Sequence, residues 1–155
     1  MKKLLLTSAE RAVDLVYVAD PALRISAKRE QALRDSWIEN RLAATLDPDD
    51  PHIEQTAQSL RESMAKQRPR MFIKAPDNSN GARIWRVRPL SWSEHEETHA
   101  HDNDDDKILS TIRAALISID GDEDTAKAFC ADPYAPIVVP LYHVIRDLTW
   151  GNQPA

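Results

Sequence analysis

The chain has 155 residues, 42% hydrophobic and 29% charged, with only three glycines. This excludes a disordered composition and disfavours an all-β fold. Its net charge of −5 argues against a general nucleic-acid binder, and the single Cys130 forms no internal disulfide, which suits a reducing cytoplasm.

The start carries two lysines before Leu4-Leu5-Leu6, like a signal peptide, but the apolar run is too short and Glu10, Arg11 and Asp14 interrupt it. No stretch is long enough to span a bilayer. Thr7-Ser8-Ala9-Glu10 is a capping-box pattern, and Ala9, Ala12, Val13 and Val16 recur at helical spacing. A first helix ending at Asp20-Pro21 is expected, with a strand at Leu15 to Val18 as the alternative. A second helix runs from about Ser26 to Leu46, with Leu33, Trp37, Ile38, Leu42 and Leu46 as its apolar stripe. The two prolines and three aspartates from Asp47 to Pro51 break it.

The next helix, from Pro51 or His52 to about Gln67, carries a narrow seam of Ile53, Ala57, Leu60 and Met64. The short connector predicts an antiparallel pair, Leu33–Leu46 opposite Ile53–Met64. The seam also suits an arm that meets a second copy. Met71 to Lys74 and Arg83 to Arg88 read as two strands of one β-hairpin with a long tip, and the apolar face of that hairpin needs a helix to cover it.

Ser91 and Glu94 form a second capping box, opening a helix that ends near His101. A further helix is expected over Lys107–Ile119, stopped by Asp120-Gly121, then a short one over Asp124–Cys130 and a last one starting at Pro140. The fold class is therefore mainly α (α+β): a helical N-terminal hairpin, one β-hairpin and a C-terminal helical bundle. Residues 1–67 form the helical region, 68–150 the hairpin plus helices packed as one domain with it, and 151–155 a loose tail.

His95-Glu96-Glu97-Thr98-His99 matches the H-E-x-x-H signature of zinc metallopeptidases. On a helix both imidazoles share a face and could reach one ion, with Glu96 as general base. The surroundings oppose this. Glu94, Glu97, His101 and Asp102 make the helix polar on most sides, and Trp92 is the one core residue expected nearby. No downstream motif offers a third ligand. The candidate metal ligands are His95, His99 and Asp102, which share a face if the helix continues. No cofactor is expected, and zinc is the one candidate the motif raises. Neither aspartate cluster fits a calcium loop: Lys107 and Thr125 stand where a glycine belongs, Arg113 and Ala131 where a glutamate belongs.

Charge is segregated. From Lys66 to Arg88 seven basic residues face only Asp77, a net of +6, while Pro89 to Asp132 has a net of −9. The two regions can pair internally, meet a protein partner, or pair between copies; a phosphate backbone is a further option for the basic strand. Arg83, Trp85, Arg86 and Arg88, with Asp104 and Asp105, are the candidate partner-binding residues.

Arg86-Val87-Arg88-Pro89-Leu90-Ser91-Trp92-Ser93-Glu94 resembles a segment of small bacteriophage tail-associated proteins, tail assembly chaperones among them. There a strand ends in an R-P-L-[ST] turn before a polar helix and a helical C-terminal half. Ala114 to Gly121 is similar to the helix end that follows. The resemblance covers no more than residues 86–155; the long N-terminal helices and the acidic insert at Asp102 depart from it. It implies a non-enzymatic assembly or virion protein whose partners are other phage proteins, in the cytoplasm of a bacterial host or in the virion. The sequence reading is a protein-protein interaction protein, with other subunits or its own copies as partners and neither nucleic acid nor membrane. The alternative is a metallopeptidase-like or non-catalytic metal-binding protein acting through His95 and His99.

Overall fold

The structure, a computed structural model, describes residues 9–155. Met1 to Leu6 and the Thr7 end of the first capping box lie outside them. The fold is mainly α with a four-stranded antiparallel sheet. The chain divides into two compact units, residues 24–70 and the remainder of the described chain.

Residues 24–70 form the expected helix pair. Ser26 caps α1 (Ala27–Thr45), its side chain accepting from the Arg29 N–H at 3.1 Å. Within the connector, Asp47 and Asp50 accept from the N–H groups of Asp49 and His52. Ile38 and Leu42 then bury against Ala57 and Met64 of α2 (Ile53–Met64), with Trp37, Leu46 and Leu60 alongside. Ion pairs Arg61–Glu39 and Arg68–Glu30 and the bond from Arg34 Nε to the Gln67 carbonyl run in reversed order along the two helices, fixing them antiparallel.

The second unit is built on a sheet that the sequence reading only half anticipated. Its strands are β1 (Val13–Tyr17), β2 (Phe72–Lys74), β3 (Trp85–Val87) and β4 (Leu116–Ile119), in the order β2-β1-β3-β4. The expected first helix is replaced by β1. The Val-Asp-Leu-Val-Tyr-Val run is rich in β-branched and aromatic residues, and the alternative strand reading is the one realised. Nor do β2 and β3 form a hairpin with each other. β1 lies between them, pairing Tyr17 with Phe72 and Leu15 with Trp85. Leu15, Val16, Tyr17 and Val18 are all buried, and β1 is flanked by a strand on each edge.

The expected Lys107–Ile119 helix is also divided. α4 (Asp104–Ala115) gives way to β4 at Leu116, where Leu-Ile-Ser-Ile favours extended backbone. Asp120 and Gly121 take left-handed φ of 55° and 75°, and the chain doubles back so that Ile119 and Asp122 exchange backbone bonds. Asp122 then caps α5 (Glu123–Ala131).

The last helix, α6 (Ala135–Thr149), starts five residues before Pro140 and contains it. Pro140 has no N–H for the carbonyl of Pro136, and the Tyr17 hydroxyl donates to that oxygen at 3.4 Å. α6 ends at Gly151, whose φ of 86° lets its N–H reach the Leu148 carbonyl and that of Asn152 reach the Asp147 carbonyl. The tail then returns to β2, where the Lys74 N–H donates to the Ala155 carbonyl at 2.9 Å.

One face of the sheet, with Leu15, Tyr17, Phe72, Trp85 and Val87, packs under Ile112 and Ala115 of α4 and Leu141, Val144, Ile145 and Leu148 of α6. A line of ring contacts crosses this core. Tyr17–Phe72, Phe72–Trp85 and Trp85–Phe129 have centroids 5.1, 5.6 and 5.0 Å apart.

Candidate functional site

The H-E-x-x-H string lies on α3 (Trp92–His99), between the end of β3 and the start of α4. Ser91 closes the expected capping box: its hydroxyl accepts from the Glu94 N–H at 3.3 Å and its own N–H donates to Glu94 Oε1 at 3.0 Å. The same carboxylate takes Arg88 in two bonds of 2.7 and 2.6 Å. Arg88 and the cap hold Glu94 far below the usual carboxylate range, at about 2, against the opposing effect of burial, and Glu94 in turn raises Arg88. Two further bonds position the helix. The Arg88 N–H donates to the Ala115 carbonyl, and the Leu90 N–H donates to Thr149 Oγ1 at the end of α6.

That last bond sets α3 beside the C-terminus of α6 and brings four rings together. His95 and His99 lie 4.0 Å apart between centroids, Trp92 and His95 5.8 Å, and Trp150 meets His95 edge-on at 5.0 Å. The indoles face water: Trp92 is 66% exposed and Trp150 57%. His99 Nδ1 is 2.9 Å from the His95 carbonyl, which can only accept, so Nδ1 carries the proton of the neutral ring and Nε2 is left as the acceptor. Partial burial lowers the His95 pKa, the neighbouring His99 lowers it further, and Glu96 opposes them.

α3 ends at His99, so Asp102 lies beyond it in a bend and the expected shared face of His95, His99 and Asp102 is not formed. Among the described residues no group of three or more His, Cys, Asp or Glu side chains is placed to hold one metal ion. The two histidines are a pair whose rings pack on each other and on tryptophan.

The candidate partner-binding residues fare unequally. Trp85 is 3% exposed and belongs to the core, so it is not available to a partner. Alternation of Trp85 with Arg86 on a strand does point them to opposite faces, but the apolar face is the one covered by helices. Arg83 pairs with Asp120 at 3.1 Å, Arg86 with Asp14 at 3.3 Å, and Arg88 with Glu94. Asp104 and Asp105 stand exposed in the first turn of α4, where Asn103 caps the helix and Lys107 lies 3.7 Å from Asp104. Among the described residues, ion pairs join the basic strand to the acidic segment at Arg88–Glu94 and Arg83–Asp120.

Sequence reasoning took Trp92 for a core residue and passed over Trp150. The available signal was that Trp92 has only His95, Glu96 and His99 at its helical neighbour positions, which leaves nothing apolar on that face of α3 to bury it. Elsewhere, a shallow groove of about 420 Å³ runs beside β4 and α5, lined in part by Arg113, Ile117, Lys127 and Cys130. Burial raises the Cys130 thiol, with Arg113 opposing, which makes it a poor nucleophile.

No known family, curated protein or solved structure matches this chain.

Proposed function

We propose that this protein is not an enzyme and works by binding another protein subunit, through the surface where Trp92 and Trp150 flank His95. The observation that carries the reading is that two indoles, each more than half exposed, touch one imidazole at the junction of two helices. Exposed tryptophans are costly in water and are the side chains most often responsible for binding energy at interfaces. The junction is held by the Leu90–Thr149 bond and the Arg88–Glu94 pair, so the rings are displayed on fixed backbone. The resemblance of residues 86–94 to phage tail-associated proteins extends the reading to an assembly factor or virion component, and tail or capsid genes beside the coding sequence would support that setting.

The test is a photo-crosslinking side chain at exposed Ser93, with a second at exposed Asp132 as control. One dominant protein adduct from Ser93 is expected. That protein, purified, should bind wild type at least about ten-fold more tightly than Trp92→Ala. Equal affinity for the two forms would remove this surface from the function.

A further inference from the structure

The charge around the two indoles selects among partners. On α3, Trp92, His95, Glu96 and His99 follow spacings of three and four and share one face of the helix. Glu96 and Glu97 are exposed and have no ion-pair partner among the described residues. Beyond the helix, Asp102, Asp104, Asp105 and Asp106 are exposed too, and no lysine or arginine occurs from Pro89 to Asp106. The nearest turn of α6 offers little against this. Its exposed Arg146 lies over the Tyr142 ring, 5.8 Å from the centroid, and exposed Asp147 follows it.

An indole face attracts a cation, and carboxylates beside it add to that attraction. An acidic segment or a phosphate backbone would meet like charge. The basic strand of a second copy is a poor occupant, because its Arg83, Arg86 and Arg88 are already paired with Asp120, Asp14 and Glu94. We infer that the Trp92–His95–Trp150 face takes an arginine- or lysine-bearing segment of the protein partner, one cation lying against an indole with Glu96 as its counter-charge. This rests on the binding reading above and adds the chemistry of the partner.

The probe is a short peptide of alternating arginine and serine, titrated into the full chain at low ionic strength while indole fluorescence is followed. Its glutamate-serine counterpart is the control. Saturable binding of the arginine peptide is expected, weakened about ten-fold by Trp92→Ala and by Trp150→Ala, and weakened by Glu96→Gln. Both indoles are exposed, so the variants should keep the wild-type circular dichroism; Trp92→Lys, which adds a repelling charge, is the second variant. Binding that ignores all these changes, no binding of the arginine peptide, or preference for the glutamate peptide would each overturn the inference. So would dimers in sedimentation that Trp92→Ala dissolves, since a second copy would then occupy the face. If the crosslinked partner needs Trp92 but the arginine peptide does not bind, only the cationic chemistry falls. If the partner does not need Trp92, the binding reading falls with it.

Discussion

The indole of Trp150 meets the imidazole of His95 edge-on, 78° between planes and 5.0 Å between centroids, although 55 positions separate them in the sequence. This contact makes the exposed surface sensitive to pH. Burial and His99 lower the His95 pKa below its ordinary value of 6.5, so the ring is neutral at pH 7. An imidazolium quenches a neighbouring indole. Tryptophan emission should therefore fall on acidification with a midpoint below about 6.5, and His95→Gln should abolish that step. The sign for stability follows. The folded state resists protonation more than the unfolded chain, so stability present above pH of about 6.5 declines as pH falls through the folded pKa. A fluorescence midpoint above the ordinary value, or a step that survives in His95→Gln, would show that the ring is not in this environment.

The Arg88–Glu94 pair makes a second prediction, with the opposite ionisation behind the same direction. Glu94 is held at about 2, below its ordinary 4.5, so its contribution to stability is complete above that ordinary value and is lost as pH falls from there through the folded pKa. Glu94→Gln keeps most of the side-chain shape and removes the charge. It should cost about 1–2 kcal/mol at neutral pH, a range for charge-assisted bonds discounted for partial exposure. The gap between the two forms in urea unfolding should narrow steadily as the buffer is taken from about pH 5 down towards pH 2. Charge reversal separates the arginines. Arg88→Glu sets two carboxylates together and should destabilise clearly, whereas the more exposed Arg86→Glu should change stability by less than about 1 kcal/mol. Equal losses for the two would contradict the geometry.

What could be read in advance depended on how local each signal was. The helix pair was legible because its caps, breaks and seam all lie within the residues that form it: Ser26, the Asp47–Pro51 break, and Ile53, Ala57 and Met64. The Ser91–Glu94 box was legible for the same reason. The sheet was half legible: β2 and β3 lie where strands are expected, but Val13, Val16 and the Leu116–Ile119 run satisfy helical spacing and strand preference equally, and only partners far along the chain decide between them. The site was missed in the same way. The polar His95, Glu96 and His99 beside Trp92 were a local hint of its exposure, but its meeting with Trp150 depends on where α6 ends, and nothing near residue 92 encodes that.

Two tryptophans whose expected roles, Trp85 at a partner surface and Trp92 in the core, are exchanged in the structure should therefore behave differently. Trp85 is the middle of the ring line between Phe72 and Phe129, and Trp85→Ala should cost about 3–5 kcal/mol in unfolding experiments. Trp92→Ala should stay within about 0.5 kcal/mol of wild type, as most exposed substitutions do. If Trp92→Ala also unfolds the protein, its indole is structural and the binding surface loses its main argument.

The histidine pair predicts a result from metal analysis. His99 Nε2 is an open acceptor, but α3 ends before Asp102 and no third donor joins among the described residues. Protein purified without chelator should carry well under one equivalent of zinc, and added zinc should raise the melting temperature by no more than a degree or so. One tightly held equivalent, lost in His99→Ala, would restore the metal-binding alternative.

Pro140 and Tyr17 offer a cycle that isolates one bond. A proline inside a helix deprives the carbonyl four residues earlier of its donor, and here Tyr17, from the far side of the core, reaches the Pro136 oxygen at 3.4 Å. Tyr17→Phe should cost about 0.5–1.5 kcal/mol in the wild-type background. In Pro140→Ala the new N–H can take the Pro136 carbonyl, so the hydroxyl becomes partly redundant and the same substitution should cost less. The difference between the two costs, read from urea unfolding of the four proteins, measures the coupling directly. Strictly additive costs would mean that the hydroxyl does not compensate for the proline, and that the helix tolerates Pro140 for a reason lying elsewhere in its packing.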